Sequence, residues 1–275
     1  MHDTVRLMSI IQAVLLGALQ GVAEFLPVSS SGHLTLVQHL FGLDDVPLLF
    51  DISLHAATLL AVILVFRKLI WDLLCTAFRW IIRKSTEEDK PKLKMILAVI
   101  AATFVTGVFG IVLKKIIPDL PIQVVFAGFI VTAILLFAGS RLSKKNEEKA
   151  SKEINLVQGL FIGAAQGIGV LPGISRSGIT ISASLASGID RKTAGDFSFI
   201  LSIPAIIAAF VLELGDLDAV AQSVSAASLL LGCLAAFIVG IFALKFLLAL
   251  IRRGKLEWFA YYLIPLAVIC FIFVR

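Results

Sequence analysis

Charged residues are scarce in this chain. Of its 275 residues, 16% are Asp, Glu, Lys or Arg and 59% are hydrophobic, and the mean hydropathy is +1.00. Soluble domains carry about 25% charged residues, so this composition excludes an ordinary soluble globular protein and makes lipid the main solvent. Several nearly uncharged stretches reach the roughly 20 residues that a helix needs to cross a bilayer. The sequence predicts an all-α integral membrane protein.

Cysteine is also rare, and its three positions carry no metal or disulfide pattern. Cys75, Cys233 and Cys270 lie far apart without CxxC spacing, so we interpret them as packing residues.

The net charge is +5, but the basic residues form short clusters between apolar runs. Such clusters indicate membrane topology, so the charge predicts no nucleic-acid partner. No small-residue cleavage site follows the first apolar run, so we expect that run to remain in the fold.

An internal repeat organises the chain. Gln20 aligns with Gln166, 146 positions later, and the same offset pairs Gly17 with Gly163 and Gly21 with Gly167. Matches of Gln, Gly and Ser are not what two unrelated apolar helices would share, so duplication is the better explanation. We predict one membrane domain over 1–275, with repeat one at about 7–140 and repeat two at about 154–275.

Each repeat begins with an apolar run that is broken before it could span. The breaks read PVSSSG at 27–32 and PGISRSG at 172–178, and a second short apolar run follows each. Broken backbone leaves N–H and C=O groups that lipid cannot satisfy, so the breaks must face protein or a watery cavity. Each repeat therefore predicts a re-entrant helical hairpin.

Three longer apolar segments follow each hairpin, at 48–66, 94–113 and 121–140 and at 196–212, 223–248 and 256–274. The predicted architecture is six transmembrane helices plus two re-entrant helical hairpins. The charged stretch 67–94 is expected to form an amphipathic surface helix with a loop.

Basic residues indicate the orientation of these segments. They are concentrated in the connections 67–94, 141–153, 190–195 and 252–257, which the positive-inside rule assigns to the cytoplasm. The first hairpin then enters from outside and the second from inside. The repeat is therefore of inverted topology, and the two tips should meet near the membrane midplane.

Ionisable groups at those tips are the candidate functional residues. Glu24, His33 and Arg176 would be expensive at that depth without a role, although an ion pair bracing the hairpins is the simpler alternative for Glu24 and Arg176. Ser, Gly and Arg together form an anion site, because glycine admits a close backbone and Arg offers a planar fork to phosphate. Its candidate binding residues are Gln20, Ser29, Ser31, Gly32, Ser175, Ser177 and Gly178.

Spacing indicates further pairs. Ser30 and His33 are three residues apart, as a nucleophile and its proton partner would be on one helical face. Gln20 and Glu24 share another face, open to a metal ion or a water. Asp51 and His55 are either a second layer behind the site or a polar pair near the outer membrane face. Two aromatic residues near the end of the chain are expected to be interface anchors, Tyr261 and Tyr262.

Three segments resemble the undecaprenyl-diphosphate phosphatase family, also called bacitracin-resistance proteins. They are LQGVAEFLPVSSSGH at 19–33, LPGISRSG at 171–178 and DFSFILSIP at 196–204. The resemblance covers essentially the whole chain. It implies hydrolysis of undecaprenyl diphosphate to the monophosphate carrier of cell-wall synthesis, in the bacterial cytoplasmic membrane, at a site open to the outer face.

The resemblance also implies roles for residues and a divalent cation, Mg²⁺ or Ca²⁺. Glu24, Ser30, His33 and Arg176 match the family's catalytic positions, and Glu24 would be the metal ligand because Gln20 replaces the first acid. Either Ser30 attacks phosphorus with His33 managing protons, or Glu24 and the metal orient water. The alternative function is a polyprenyl-phosphate transporter using the same anion site. The sequence leaves open a homodimer.

Overall fold

The computed structural model describes residues 8–43, 48–116, 121–145, 147–212 and 224–274. Helices joined by short turns make up this part of the chain, and no β-strand occurs within it. The prediction of an all-α protein is confirmed.

Two helix–break–helix units occupy the positions predicted for the hairpins. The first consists of α1 (Ile10–Ala23) and α2 (Ser30–Leu40), and the second of α6 (Leu156–Ile168) and α7 (Arg176–Ala186). α1 and α6 contain 14 and 13 residues, which is short of the roughly 20 that a spanning helix needs. That the units re-enter the membrane from opposite sides stays a prediction.

Six longer helices follow within the described ranges. They are α3 (Leu48–Ile81), α4 (Lys90–Ile116), α5 (Ile122–Lys145), α8 (Arg191–Leu212), α9 (Ala226–Arg252) and α10 (Glu257–Phe273). Five of them, α3, α4, α5, α8 and α9, are long and apolar enough to cross a membrane. α10 is apolar but has 17 residues, so its crossing stays a prediction.

The stretch after residue 66 corrects one expectation. Residues 67–81 do not form a separate surface helix, because they continue α3 without a break to a length of 34 residues. At 1.5 Å per residue this helix is about 51 Å long, well beyond a hydrocarbon core. Arg79 on this extension forms an ion pair with Asp89 in the turn before α4. The charges therefore mark a helical extension outside the lipid.

Equivalent glycines bring two pairs of helices into close contact. Gly17 of α1 lies against α9, where an added Cβ would sit 2.0 Å from the carbonyl oxygen of Gly232. Gly163 of α6 lies against α4, where a Cβ would sit 2.5 Å from Cα of Ala102. Small residues allow this approach in membrane helices. Gly17 and Gly163 are a pair at the offset of 146, so each half contributes one such contact.

Ion pairs join the connections that were predicted to be cytoplasmic. Lys94 pairs with Glu153 at 2.7 Å, Lys144 with Glu257 at 2.8 Å, and Arg191 with Glu147 at 2.8 Å. These contacts link the start of α4, the α5–α6 connection, the start of α8 and the start of α10. The basic connections therefore lie together at one end of the molecule.

Apolar side chains are divided between the core and the outer helix faces. Phe25, Phe129 and Phe199 are fully buried where the tips meet α5 and α8. Phe104 and Phe242 are 71% and 69% exposed on α4 and α9. Large apolar groups exposed on long apolar helices indicate contact with lipid.

Candidate active site

The two breaks meet directly. Arg176 Nη2, at the start of α7, lies 2.5 Å from Oε1 of Glu24, which follows α1. Beside this ion pair, the Ser177 hydroxyl donates to the backbone carbonyl of Phe25 at 3.1 Å. An ion pair and a neutral hydrogen bond therefore join the tips. The ion pair between Glu24 and Arg176, considered above as the alternative to a functional role, is present.

Glu24 is the centre of the hydrogen-bond network. Its Oε2 accepts from the Ser30 hydroxyl at 2.7 Å and from the Gln20 side-chain amide at 3.0 Å. The carboxylate side chain is 4% exposed. A hydroxyl that donates to a buried carboxylate is arranged to lose its proton to that group, which is the arrangement that a nucleophile and its base require.

His55 places a second basic side chain at Glu24. Its Nε2 lies 3.2 Å from Glu24 Oε2, and its Nδ1 lies 2.8 Å from the backbone oxygen of Asp51. Both partners only accept, so the ring carries a proton on each nitrogen when both bonds form. Of the two interpretations of Asp51 and His55, the one that associates them with the site holds for His55, although His55 lines the cavity itself and does not lie behind it. The Asp51 side chain instead accepts from the Gln38 amide at 2.7 Å.

His33 does not face Ser30. Its Nδ1 lies 2.8 Å from the backbone oxygen of Ser29, and its Nε2 lies 2.8 Å from the hydroxyl of Tyr262. The expected pairing of Ser30 with His33 is therefore wrong in this structure, because the imidazole, three residues further along α2, is directed towards α5 and α10. Tyr262, expected to be an interface anchor, is a hydrogen-bond partner of His33.

Ser29 has a strained backbone. Its φ is 71°, a region that non-glycine residues rarely adopt, whereas its repeat equivalent Ser175 has φ −73°. Both serines cap the helix that follows, accepting from the amides of Gly32 and Gly178 at 3.3 and 3.1 Å. Both side chains are therefore helix caps, and of the two serines only Ser29 has a strained backbone.

The other predicted site residues divide into two groups. Ser29, Ser31 and Ser175 line the cavity with Glu24, Ser30 and Arg176. Gly32 packs under the ring of Phe129, where a Cβ would sit 2.5 Å from a ring carbon. The remaining three are buried and act in the hairpins or on Glu24: Gln20, Ser177 and Gly178.

A cavity of about 280 Å³ lies at the meeting point of the tips. Its polar wall comes from both breaks and from His55, Thr106 and Gln166. Its apolar wall comes from Ile52 of α3 and from Ala205, Ile206 and Ala209 of α8. Glu24, Arg176 and His55 together carry one net positive charge when His55 is protonated. The cavity therefore fits an anionic group attached to an apolar chain.

Oxygen donors for a metal are few at this site. Glu24 supplies the carboxylate, and Gln20 Oε1 is a buried oxygen without a hydrogen-bond partner. The described ranges contain no group of three His, Cys, Asp or Glu side chains that could hold a metal. Mg²⁺ is often held by one or two carboxylates plus substrate phosphates, and these donors fit a cation of that kind.

Comparisons with known proteins identify the family of the chain. The family described as bacitracin resistance protein BacA matches residues 13–269. A protein named undecaprenyl-diphosphatase from Treponema denticola is 54% identical over 94% of this chain and 95% of its own. Proteins of the same name from Desulfatibacillum aliphaticivorans and Borreliella burgdorferi are 42% and 39% identical, over 92% and 97% of this chain and 94% and 99% of theirs. This chain belongs to the bacitracin resistance protein BacA family.

Proposed function

We propose that the chain is a membrane-embedded phosphatase that converts undecaprenyl diphosphate into undecaprenyl phosphate and inorganic phosphate. The observation that carries this proposal is the Ser30 hydroxyl, 2.7 Å from Glu24 and beside Arg176 in a cavity with one apolar wall. The relatives' name, undecaprenyl-diphosphatase, favours hydrolysis over the transport alternative. Such an enzyme recycles the lipid carrier of cell-wall synthesis and confers resistance to bacitracin.

The geometry supports a covalent route. Ser30 Oγ attacks the terminal phosphorus while its proton passes to Glu24 Oε2. The bond from that phosphorus to the bridging oxygen breaks, and the lipid monophosphate leaves with the negative charge that Arg176 stabilises. Water then attacks the phosphoserine and returns the hydroxyl to Ser30. Glu24 first gives the serine's proton to the departing lipid monophosphate, so that it can then take a proton from the water and return it to Ser30 Oγ as the bond between phosphorus and Oγ breaks.

A divalent cation fits as a companion of the substrate. We propose that Glu24 and Gln20 Oε1 are its protein ligands and that diphosphate oxygens supply most of the others. The cation would neutralise phosphate charge. The residues of the chain keep their roles: Ser30 attacks, Glu24 holds the proton, and Arg176 orients the phosphate.

Phosphate release in detergent tests the function. The purified protein should release inorganic phosphate from undecaprenyl diphosphate in micelles, where transport between compartments has no meaning. Micelles without protein, and protein given undecaprenyl monophosphate, are the controls. Binding of the diphosphate with no release of phosphate would contradict the proposal and favour the transporter.

The site is proposed to open to the outer face of the cytoplasmic membrane, and labelling tests this orientation. In a protein whose three native cysteines are replaced by alanine, Lys149→Cys should resist an impermeant maleimide in intact cells, because its connection lies at the basic end. Asp216→Cys, in a connection outside the described residues, should react. Labelling of position 149 in intact cells would overturn the orientation.

A further inference from the structure

We infer that Tyr262 and His33 are positioning residues that hold the strained Ser29 backbone, and that His33 does not exchange protons with the substrate. The inference rests on the proposed function, because it assigns these residues a role in presenting Ser30. Three groups form one hydrogen-bond chain from α10 to the first tip: the Tyr262 hydroxyl, the His33 ring and the Ser29 carbonyl.

The partners of His33 define its protonation. The Ser29 carbonyl only accepts, so Nδ1 carries the proton and donates. Both partners are neutral and the residue is 6% exposed, so a second proton would place a charge in an apolar setting without a paired anion. Nε2 therefore accepts from the Tyr262 hydroxyl. Both ring nitrogens are therefore occupied by hydrogen bonds, and neither can exchange a proton with the phosphate.

Ring packing fixes the same orientation. The His33 ring is stacked on Tyr262 with centroids 5.8 Å apart, and it is tilted against Phe129 at 5.1 Å. Phe129 is fully buried on α5. A rotation that carried Nε2 into the cavity would break the bond to Tyr262 and abandon both ring contacts.

The Ser29 carbonyl receives two bonds, one from the His33 amide at 3.2 Å and one from the ring at 2.8 Å. At the second tip, the carbonyl of Ser175 receives only a backbone bond in the described network, from Ile179 at 2.9 Å. Ile179 is the repeat equivalent of His33 and has no ring to donate. Of these two equivalent serines, the one whose carbonyl is bonded by the imidazole is the one with positive φ, so the extra bond compensates for an unfavourable backbone conformation.

The conformation of Ser29 sets the position of Ser30. Ser30 is the next residue, and its hydroxyl reaches Glu24 from the first turn of α2. Relaxing Ser29 to negative φ would redirect the start of α2 and with it the hydroxyl. Catalysis loses heavily from such shifts, because the reacting atoms must meet in a narrow range of geometry.

Two substitutions at His33 separate positioning from proton transfer. The amide nitrogen of Asn can occupy the place of Nδ1 and donate to Ser29, whereas that of Gln lies nearer the place of Nε2. We expect His33→Asn, which keeps the bond to Ser29 and loses the bond to Tyr262, to lower kcat for phosphate release about three- to tenfold, as Tyr262→Phe does. His33→Gln, which loses the bond to Ser29, should lower kcat by at least about thirtyfold at similar KM. Both variants are compared as monodisperse protein in detergent.

Tyr262→Phe provides the second test. It removes the hydroxyl and keeps the ring, so kcat should fall about three- to tenfold with KM within about twofold. In the His33→Asn background the same change should have no further effect, because the partner of the hydroxyl is already gone. The matched control is Tyr261→Phe, since Tyr261 is 65% exposed and its ring meets Phe137 edge-on. Its activity should equal that of the unaltered protein.

Two outcomes would overturn the inference. Equal and complete loss in His33→Asn and His33→Gln, with both proteins folded, would show that the imidazole itself handles protons. Full activity in Tyr262→Phe would show that α10 does not hold the ring. Failure of the unaltered protein to release phosphate would instead contradict the proposed function, so the two failures are distinguishable.

Discussion

Ser30→Ala is expected to lower phosphate release by at least about a thousandfold, because the change removes the attacking oxygen and leaves Glu24 with no hydroxyl to deprotonate. The 2.7 Å bond between Ser30 and Glu24 is the basis of this expectation. If water were the nucleophile, Ser30 would only bind phosphate. Losing that bond would then cost about 1.5–3 kcal/mol, or roughly ten- to a hundredfold in rate.

Single-turnover measurement separates the two routes. Rapid quenching with a diphosphate labelled at its terminal phosphorus should trap label on Ser30 in the unaltered protein. Ser31→Ala is the matched control, because Ser31 also lines the cavity but bonds to Ser29 at 3.4 Å and not to Glu24. It should lose no more than about tenfold. Unlabelled Ser30 throughout turnover, with appreciable activity in Ser30→Ala, would leave attack by water.

Arg176→Lys is expected to lower kcat about a hundredfold although the charge is kept. The guanidinium holds Glu24 through Nη2 and has further N–H groups in the same plane for phosphate oxygens. An ammonium is a point charge and cannot hold both groups in fixed geometry. Steady-state phosphate release gives the loss, and monodisperse elution in detergent shows that the variant is folded.

An Arg-to-Lys substitution outside the cavity is the matched control. Arg191 forms two bonds to the Glu147 carboxylate, at 2.8 and 3.1 Å, at the basic end of the molecule. Arg191→Lys should keep normal turnover, because this fork holds a connection and not the cavity. Near-normal turnover in Arg176→Lys would show that charge alone matters at the tip.

The helices and breaks could be predicted because their signals are local. Apolar runs, Pro and clusters of Ser and Gly placed both hairpins within a few residues of their observed bounds. Local signals failed at 67–81, where charge was interpreted as the end of a spanning helix. Charge ends the stretch that lipid can cover, but it does not end the helix, since Lys, Arg and Glu are good helix formers in water.

Local signals also predicted the part of the site that lies within the breaks. Glu24, Ser30 and Arg176 lie within the breaks, where depth in the membrane makes polar groups conspicuous. His55 and Tyr262 come from helices whose packing against the tip only tertiary structure reveals. The need for a partner of the Tyr262 kind follows from His33 itself. A buried imidazole has two nitrogens that need hydrogen-bond partners, and the first tip supplies a partner for only one of them, the Ser29 carbonyl.

The contacts of the first hairpin have a consequence for synthesis of the chain. Glu24 enters the membrane early, yet its partner Arg176 follows 152 residues later, and α1 packs against α9, near the end of the sequence. His55 of α3 can contact Glu24 once repeat one is made, but the ion pair with Arg176 and the packing against α9 both need repeat two. The first hairpin therefore reaches its final packing only after the second repeat has been added. An unfinished chain therefore cannot act on the carrier lipid around it.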